Sequence, residues 1–195
     1  MYKKVMRRQR GFTLIELAIV LVIIGLILGM VFKGRQLIDS AKVKSTAAQY
    51  NKILAAINIF YDRYGFFPGD GCLADETDPG NCTGTKDGIL TSDDETSAFW
   101  TLLIDGTGIL SRADRRSVFG QDWQIWYGTA HGLTADWLDL PGGNQMDVRI
   151  LCALDKMIDD GEYNTGDVRS NRVYHDDDNC WGMSGQADGW IKILP

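Results

Sequence analysis

Apolar residues run almost unbroken from Phe12 to Phe32, recur every third or fourth position from there to Tyr64, and fall into short groups afterwards. The first stretch has 21 residues. As a helix at 1.5 Å per residue it would be about 31 Å long, enough to span the hydrocarbon core of a bilayer. Beyond it Tyr50, Ile53, Leu54, Ile57, Phe60, Tyr61 and Tyr64 keep helical spacing, and no proline occurs before Pro68. The pattern predicts one helix from Phe12 to about Arg63, apolar all round in its first part and amphipathic in its second. Gly65-Phe66-Phe67-Pro68-Gly69-Asp70-Gly71 supplies the stop.

After the stop the signals are weaker. Cys72 to Asp94 is rich in Gly, Thr, Asp and Asn and reads as a surface loop. A short helix is expected from Glu95 to Leu103, carrying Phe99, Trp100, Leu102 and Leu103. Alternation from Ser117 to Tyr127, with Val118, Trp123, Ile125 and Tyr127, reads as a strand. A second helix is expected from Asp147, a good cap, to Ile158. Arg172–Tyr174 and Trp190–Leu194 are short strand candidates, and no internal repeat is visible.

Charge divides the chain as sharply as hydropathy does. The first eleven residues hold Lys3, Lys4, Arg7, Arg8 and Arg10 and no acid, so removing these five charges takes the formal net charge from -6 to -11. An acidic body is a poor partner for a phosphate backbone, whose binding rests on Lys and Arg releasing counterions, so no nucleic acid is expected as a partner. Basic residues before an apolar helix place that end in the cytoplasm and send Lys33 onward across the membrane. The apolar run is followed by Lys33-Gly34-Arg35-Gln36-Leu37, not by an Ala-x-Ala-like context, so ordinary signal cleavage after it is not indicated. Cys72, Cys82, Cys152 and Cys180 show neither Cys-x-x-Cys spacing nor a zinc pattern. Two disulfides in an oxidising compartment are the simpler reading; nearest neighbours would pair Cys72 with Cys82 and Cys152 with Cys180, but three connectivities are open.

Glu16 is the one acid within the apolar run. Fifteen of the 21 residues are Leu, Ile, Val or Phe. At roughly -0.5 kcal/mol each they outweigh the roughly +3 kcal/mol of a carboxylate at mid-membrane. An ionisable residue in such a place is usually paired or functional. The simple alternative is a carboxylate reaching back to the headgroups. A better partner exists among identical packed helices: the amine that would be freed by a cut just before Phe12.

Arg10-Gly11-Phe12-Thr13-Leu14-Ile15-Glu16-Leu17 resembles the prepilin processing motif of type IV pilins and type II secretion pseudopilins. The resemblance implies that a prepilin peptidase cuts after Gly11 and methylates the new N-terminus at Phe12, and that Glu16 orients an incoming subunit. A residue without a side chain suits a tight protease site. Tyr64-Gly65-x-x-Pro68-Gly69-Asp70 is similar to one branch of pilin-like proteins. One departure is Lys33, where major pilins commonly have a proline; this tilts towards a pseudopilin or minor pilin.

The implied fold is α+β and pilin-like: a long N-terminal α-helix packed on a small antiparallel sheet head with loops and short helices. Residues 1–11 would be the leader, 12–32 the membrane and filament-core helix, 33–64 its amphipathic continuation, and 65–195 the head. The implied role is structural: a type IV pilus or pilus-like subunit, with a type II secretion pseudopilin as the alternative. Implied partners are homologous pilin subunits, the prepilin peptidase, the inner-membrane assembly machinery and the membrane itself. The chain would cross the inner membrane once before assembly and lie in a periplasmic or extracellular filament afterwards. A reading from another class is a membrane-tethered periplasmic binding protein that never polymerises; an adhesive or DNA-capturing minor pilin is a further one.

Asp155, Asp159, Asp160, Glu162, Asn164 and Asp167 form the densest set of oxygen ligands. Calcium takes six to eight such ligands, and pseudopilins that this chain resembles can bind calcium in the head. Neither this spacing nor Thr83–Asp94 fits an EF-hand, and a solvated acidic turn is the plain reading. No cofactor is required. His131 and His175 are the only histidines; neither lies in a nucleophile or metalloprotease motif, so the chain is not expected to be an enzyme. Six tryptophans are many for a head of this size; most are expected in the core, with some exposed for adhesion or subunit contact.

Overall fold

The computed structural model describes residues 12–194. They fall into two compact units, Met1–Asp39 and Ser40–Pro195, with helix α1 (Leu14–Tyr64) contributing to both. In the first unit the apolar side chains of Leu14 to Val31 are exposed. In the second, Val43, Thr46, Ala47, Tyr50, Ile53, Ile57 and Phe60 of α1 are buried at intervals of three or four, so one stripe faces the core. The helix ends at Gly65, whose φ of 79° is open to glycine without penalty and whose N–H reaches Tyr61 O at 2.8 Å.

Helix α2 (Asp93–Thr101) starts with a capping box: Ser92 accepts the Glu95 N–H, and Glu95 returns a bond to Ser92 N. It runs into a π-helical turn at Leu102–Gly106, and a single turn, α3 (Arg112–Arg115), follows. Strands β1 (Gln124–Ala130) and β2 (Leu133–Asp139) form a hairpin through His131 and Gly132. Both turn residues have positive φ, 45° and 81°, as a two-residue turn matched to strand twist requires. Strand β3 (Met146–Asp147) leads into helix α4 (Val148–Ile158), whose cap Asp147 accepts the Arg149 N–H. Then come β4 (Val168–Ser170), β5 (Gln186–Ala187) and β6 (Gly189–Leu194). The main sheet is antiparallel with order β1-β2-β6-β4, and β3 pairs with β5 beside it. The architecture is α+β: a long N-terminal helix, a small antiparallel sheet and short helices.

Disulfides join Cys72 to Cys82 and Cys152 to Cys180. The sheet's core face carries Ile125, Leu138, Val168 and Ile191, packed in one cluster with α1, α2 and α4.

Three elements differ from the sequence pattern. The strand expected from Ser117 begins only at Gln124. Residues 117–123 turn back on themselves instead, with Ser117 N bonded to Gln121 O and Trp123 N to Arg115 O. Strand β2 has no counterpart in the pattern because Ala135, Asp136, Trp137 and Leu138 are all buried, which erases alternation. Arg172–Tyr174 is not a strand; the pairing with β6 is made by Val168–Ser170, and Tyr174 turns its hydroxyl onto Asp155 at 2.9 Å.

Candidate assembly site

The start of α1 is built by two residues. Thr13 donates its N–H (2.8 Å) and its hydroxyl (2.7 Å) to Glu16 Oε2, and Thr13 Oγ1 accepts the Glu16 N–H at 3.3 Å. This is a reciprocal capping box, readable in the sequence as Thr-x-x-Glu ahead of an apolar run, a signal the reading by hydropathy passes over. The donors are neutral, so they orient the carboxylate without neutralising its charge. Phe12 and Leu14 beside it are more than four-fifths exposed. Gly11, the expected cleavage position, lies outside the described residues.

From Leu17 to Val31 the helix is uncovered apolar surface. From Leu14 the helix carries an 18-residue window of mean hydropathy 3.0 with none of it buried, long and apolar enough to cross a membrane. Gly25 and Gly29 lie one turn apart, and a Cβ at either would meet no atom of the chain, leaving the backbone open to close approach by another helix.

Residues 6–32 match the family model of the prokaryotic N-terminal methylation motif. The chain carries the signature of the type IV pilin and pseudopilin family. No curated protein and no solved structure matches it. Pilins and pseudopilins with this motif are structural subunits, not enzymes; they assemble with other subunits of their kind and use a processing machinery. Motif and helix together fit a membrane-anchored pilin that later forms a filament.

The acidic turn in the head is a separate matter. The carboxylates of Asp155, Asp159 and Asp160 lie within 4.8 Å of one another. Asp155 is buried, accepts from Gly161 N (3.1 Å) and the Tyr174 hydroxyl (2.9 Å), and is pushed up to about 7 chiefly by burial. Asp159 accepts from Asp167 N and Val168 N, and Asp160 from Glu162 N (2.9 Å) and the Thr165 hydroxyl (2.6 Å). Glu162 turns away to His175, its Oε2 lying 2.7 Å from Nδ1, while Asp167 faces Lys192 at 4.0 Å and Asn164 lies in the same turn. Three of the six expected oxygen donors thus converge, while Glu162 and Asp167 face other partners. His131 lies in the hairpin turn, its Nε2 2.8 Å from Ser170 O.

Proposed function

We propose that this chain is a structural subunit of a type IV pilus or pilus-like filament, freed of residues 1–11 by a prepilin peptidase and assembled through α1. The observation that carries the reading is the position of Glu16. A carboxylate with no cationic partner among the described residues, held by Thr13 at the head of an otherwise apolar and uncovered helix, sits four residues from the amine that a cut after Gly11 would expose. In a bundle of such helices, Glu16 of one subunit meets the Phe12 amine of a neighbour, and the pair offsets the desolvation that each charge bears alone. Gly25 and Gly29 let the backbones approach. Before assembly the same apolar surface holds the subunit in the inner membrane, with the basic residues on the cytoplasmic side; afterwards the heads form the filament surface.

Intact mass and N-terminal sequencing of the protein from native membranes, with and without the prepilin peptidase, test this. A mature chain starting at methylated Phe12 only when the peptidase is present is expected. A chain starting at Met1 in both strains overturns it and leaves a tethered, non-polymerising protein. Glu16→Ala is expected to abolish filaments while leaving membrane insertion intact.

The type II secretion pseudopilin is favoured by one observation: α1 runs unbroken from Leu14 to Tyr64 with lysine, not proline, at position 33. Fibres that survive deletion of secretion genes would decide for the pilus.

A further inference from the structure

The outer face of the sheet, opposite the main core, bears an aromatic cluster. Trp126 on β1 pairs across the hairpin with Trp137 on β2, and Trp190 on β6 has its ring 6.0 Å from that of Trp126. A methyl group at Gly128 would meet Trp126 Cζ2 at 2.2 Å, so the indole reaches over the strand backbone there. Trp126 is 36% exposed. A large aromatic ring partly open to solvent can serve as a stacking platform.

Beside this platform lies a recess of about 330 Å³ between α2 and β1, at the small end of the range for ligand pockets. Its polar lining is Asp93, Thr96 and Ser97 from α2, Arg115, and Gln124 from β1. Trp100 forms another wall; it is 2% exposed, and its indole N–H is a buried side-chain donor with no hydrogen-bond partner. The Arg115 guanidinium stands 5.3 Å over the Trp100 ring, fixed by a bond from Nε to Trp123 O at 3.1 Å. A second recess of about 320 Å³ shares Trp100 and Arg115.

We propose that this cleft binds a neutral saccharide, one sugar ring stacked on Trp126, with hydroxyl groups meeting Thr96, Ser97 and Gln124. The chemistry of the walls selects the class. Asp93 and Arg115 cancel, which suits an uncharged ligand. Hydroxyl and amide walls suit a hydroxyl-rich ligand better than an aliphatic one. A nucleic acid would stack equally well on Trp126, but its phosphates would meet Asp93 and a chain of net charge -6. This inference is independent of filament assembly.

The test uses the full chain in dodecylphosphocholine micelles, which carry no sugar headgroup, titrated with maltotriose, cellotriose and chitotriose up to about 10 mM. The readout is the set of indole N–H resonances. Saturable shifts of the Trp100 and Trp126 signals with at least one trisaccharide are expected. Trp126→Ala should weaken that binding tenfold or more and Gln124→Ala severalfold, while Trp181→Ala, exposed but remote in sequence, should bind as the parent does. Should Trp126→Ala fail to fold, Ser97→Trp, which fills the recess from an exposed position, should abolish binding. No saturable shift with any of the three sugars, unchanged binding in both recess variants, or preferential binding of oligothymidylate that salt abolishes would each overturn the proposal.

Discussion

Gln49 fastens the long helix to the head through three bonds, and replacing it tests that attachment directly. Its Nε2 donates to Asp114 O at 2.6 Å and to Arg116 O at 2.9 Å, and its Oε1 accepts the Trp123 indole N–H at 2.9 Å. Gln49→Met keeps length and helix propensity while removing all three partners. Trp123 is 1% exposed, so its N–H would lose its acceptor where water cannot readily replace it. An orphaned buried donor costs about 1–3 kcal/mol; the two carbonyls are closer to solvent and add little. A loss of about 2 kcal/mol in a unit of this size lowers Tm by roughly 4–8 °C. Thermal unfolding of the full chain in micelles, followed by near-UV circular dichroism, measures it. The same change in a Trp123→Phe background, where no N–H is left to orphan, should cost less than half as much. A Tm within about 1 °C of the parent for Gln49→Met alone would refute the reasoning.

Thr13→Val removes the hydroxyl contacts of the capping box while keeping the backbone N–H bond to Glu16, and at about 1 kcal/mol it should speed amide exchange at Glu16 about fivefold in micelles. Replacing both cysteines of a pair by serine should destabilise the head more for Cys152–Cys180 than for Cys72–Cys82. The sequence separations are 28 and 10; chain entropy then gives about 3.6 and 2.7 kcal/mol, read as the order of the two Tm losses. Burial pushes Asp136 and Asp155 up to about 7 and Asp139 up to about 6 from an ordinary 3.8. The folded head therefore binds more protons than the unfolded chain between about pH 4 and 7, and its stability falls as pH rises through that window. Tm should be higher at pH 5 than at pH 8, and Asp136→Asn should narrow the difference.

The long helix was legible because it rests on local chemistry. An unbroken apolar run, the three-and-four spacing of Tyr50, Ile53, Ile57 and Phe60, and the cap at Asp147 act over neighbouring residues, and the structure forms α1 and α4 where they point. Thr13-x-x-Glu16 was equally local, though hydropathy alone hid it. What the sequence withheld depends on distant partners. Asp136 looks like a surface residue, yet it is fully buried because both its oxygens accept the Leu90 N–H from a loop 46 positions away. Gln49 and Trp100 look unremarkable until the residues opposite them are known. The acidic turn shows the reverse: dense in sequence, it keeps Asp155, Asp159 and Asp160 together but turns Glu162 to His175 and Asp167 to Lys192.

The place of β6 in the sheet has a consequence for how the head is made. It lies between β2 and β4 although it follows both in the chain, so the inner edge of β2 has no partner until residues 189–194 have been synthesised. For that interval a hairpin bearing Trp137 and Leu138 presents an unpaired edge, the kind of template on which chains stick to one another. Export that lags behind synthesis would lengthen the exposure, and a chaperone that covers strand edges would shorten it. The Cys152–Cys180 bond acts on the same interval: by tying off much of the segment between β2 and β6 it shortens the loop that the last strand must close. Oxidation before the final strand docks should therefore raise the yield of folded head, and late oxidation should raise aggregation instead.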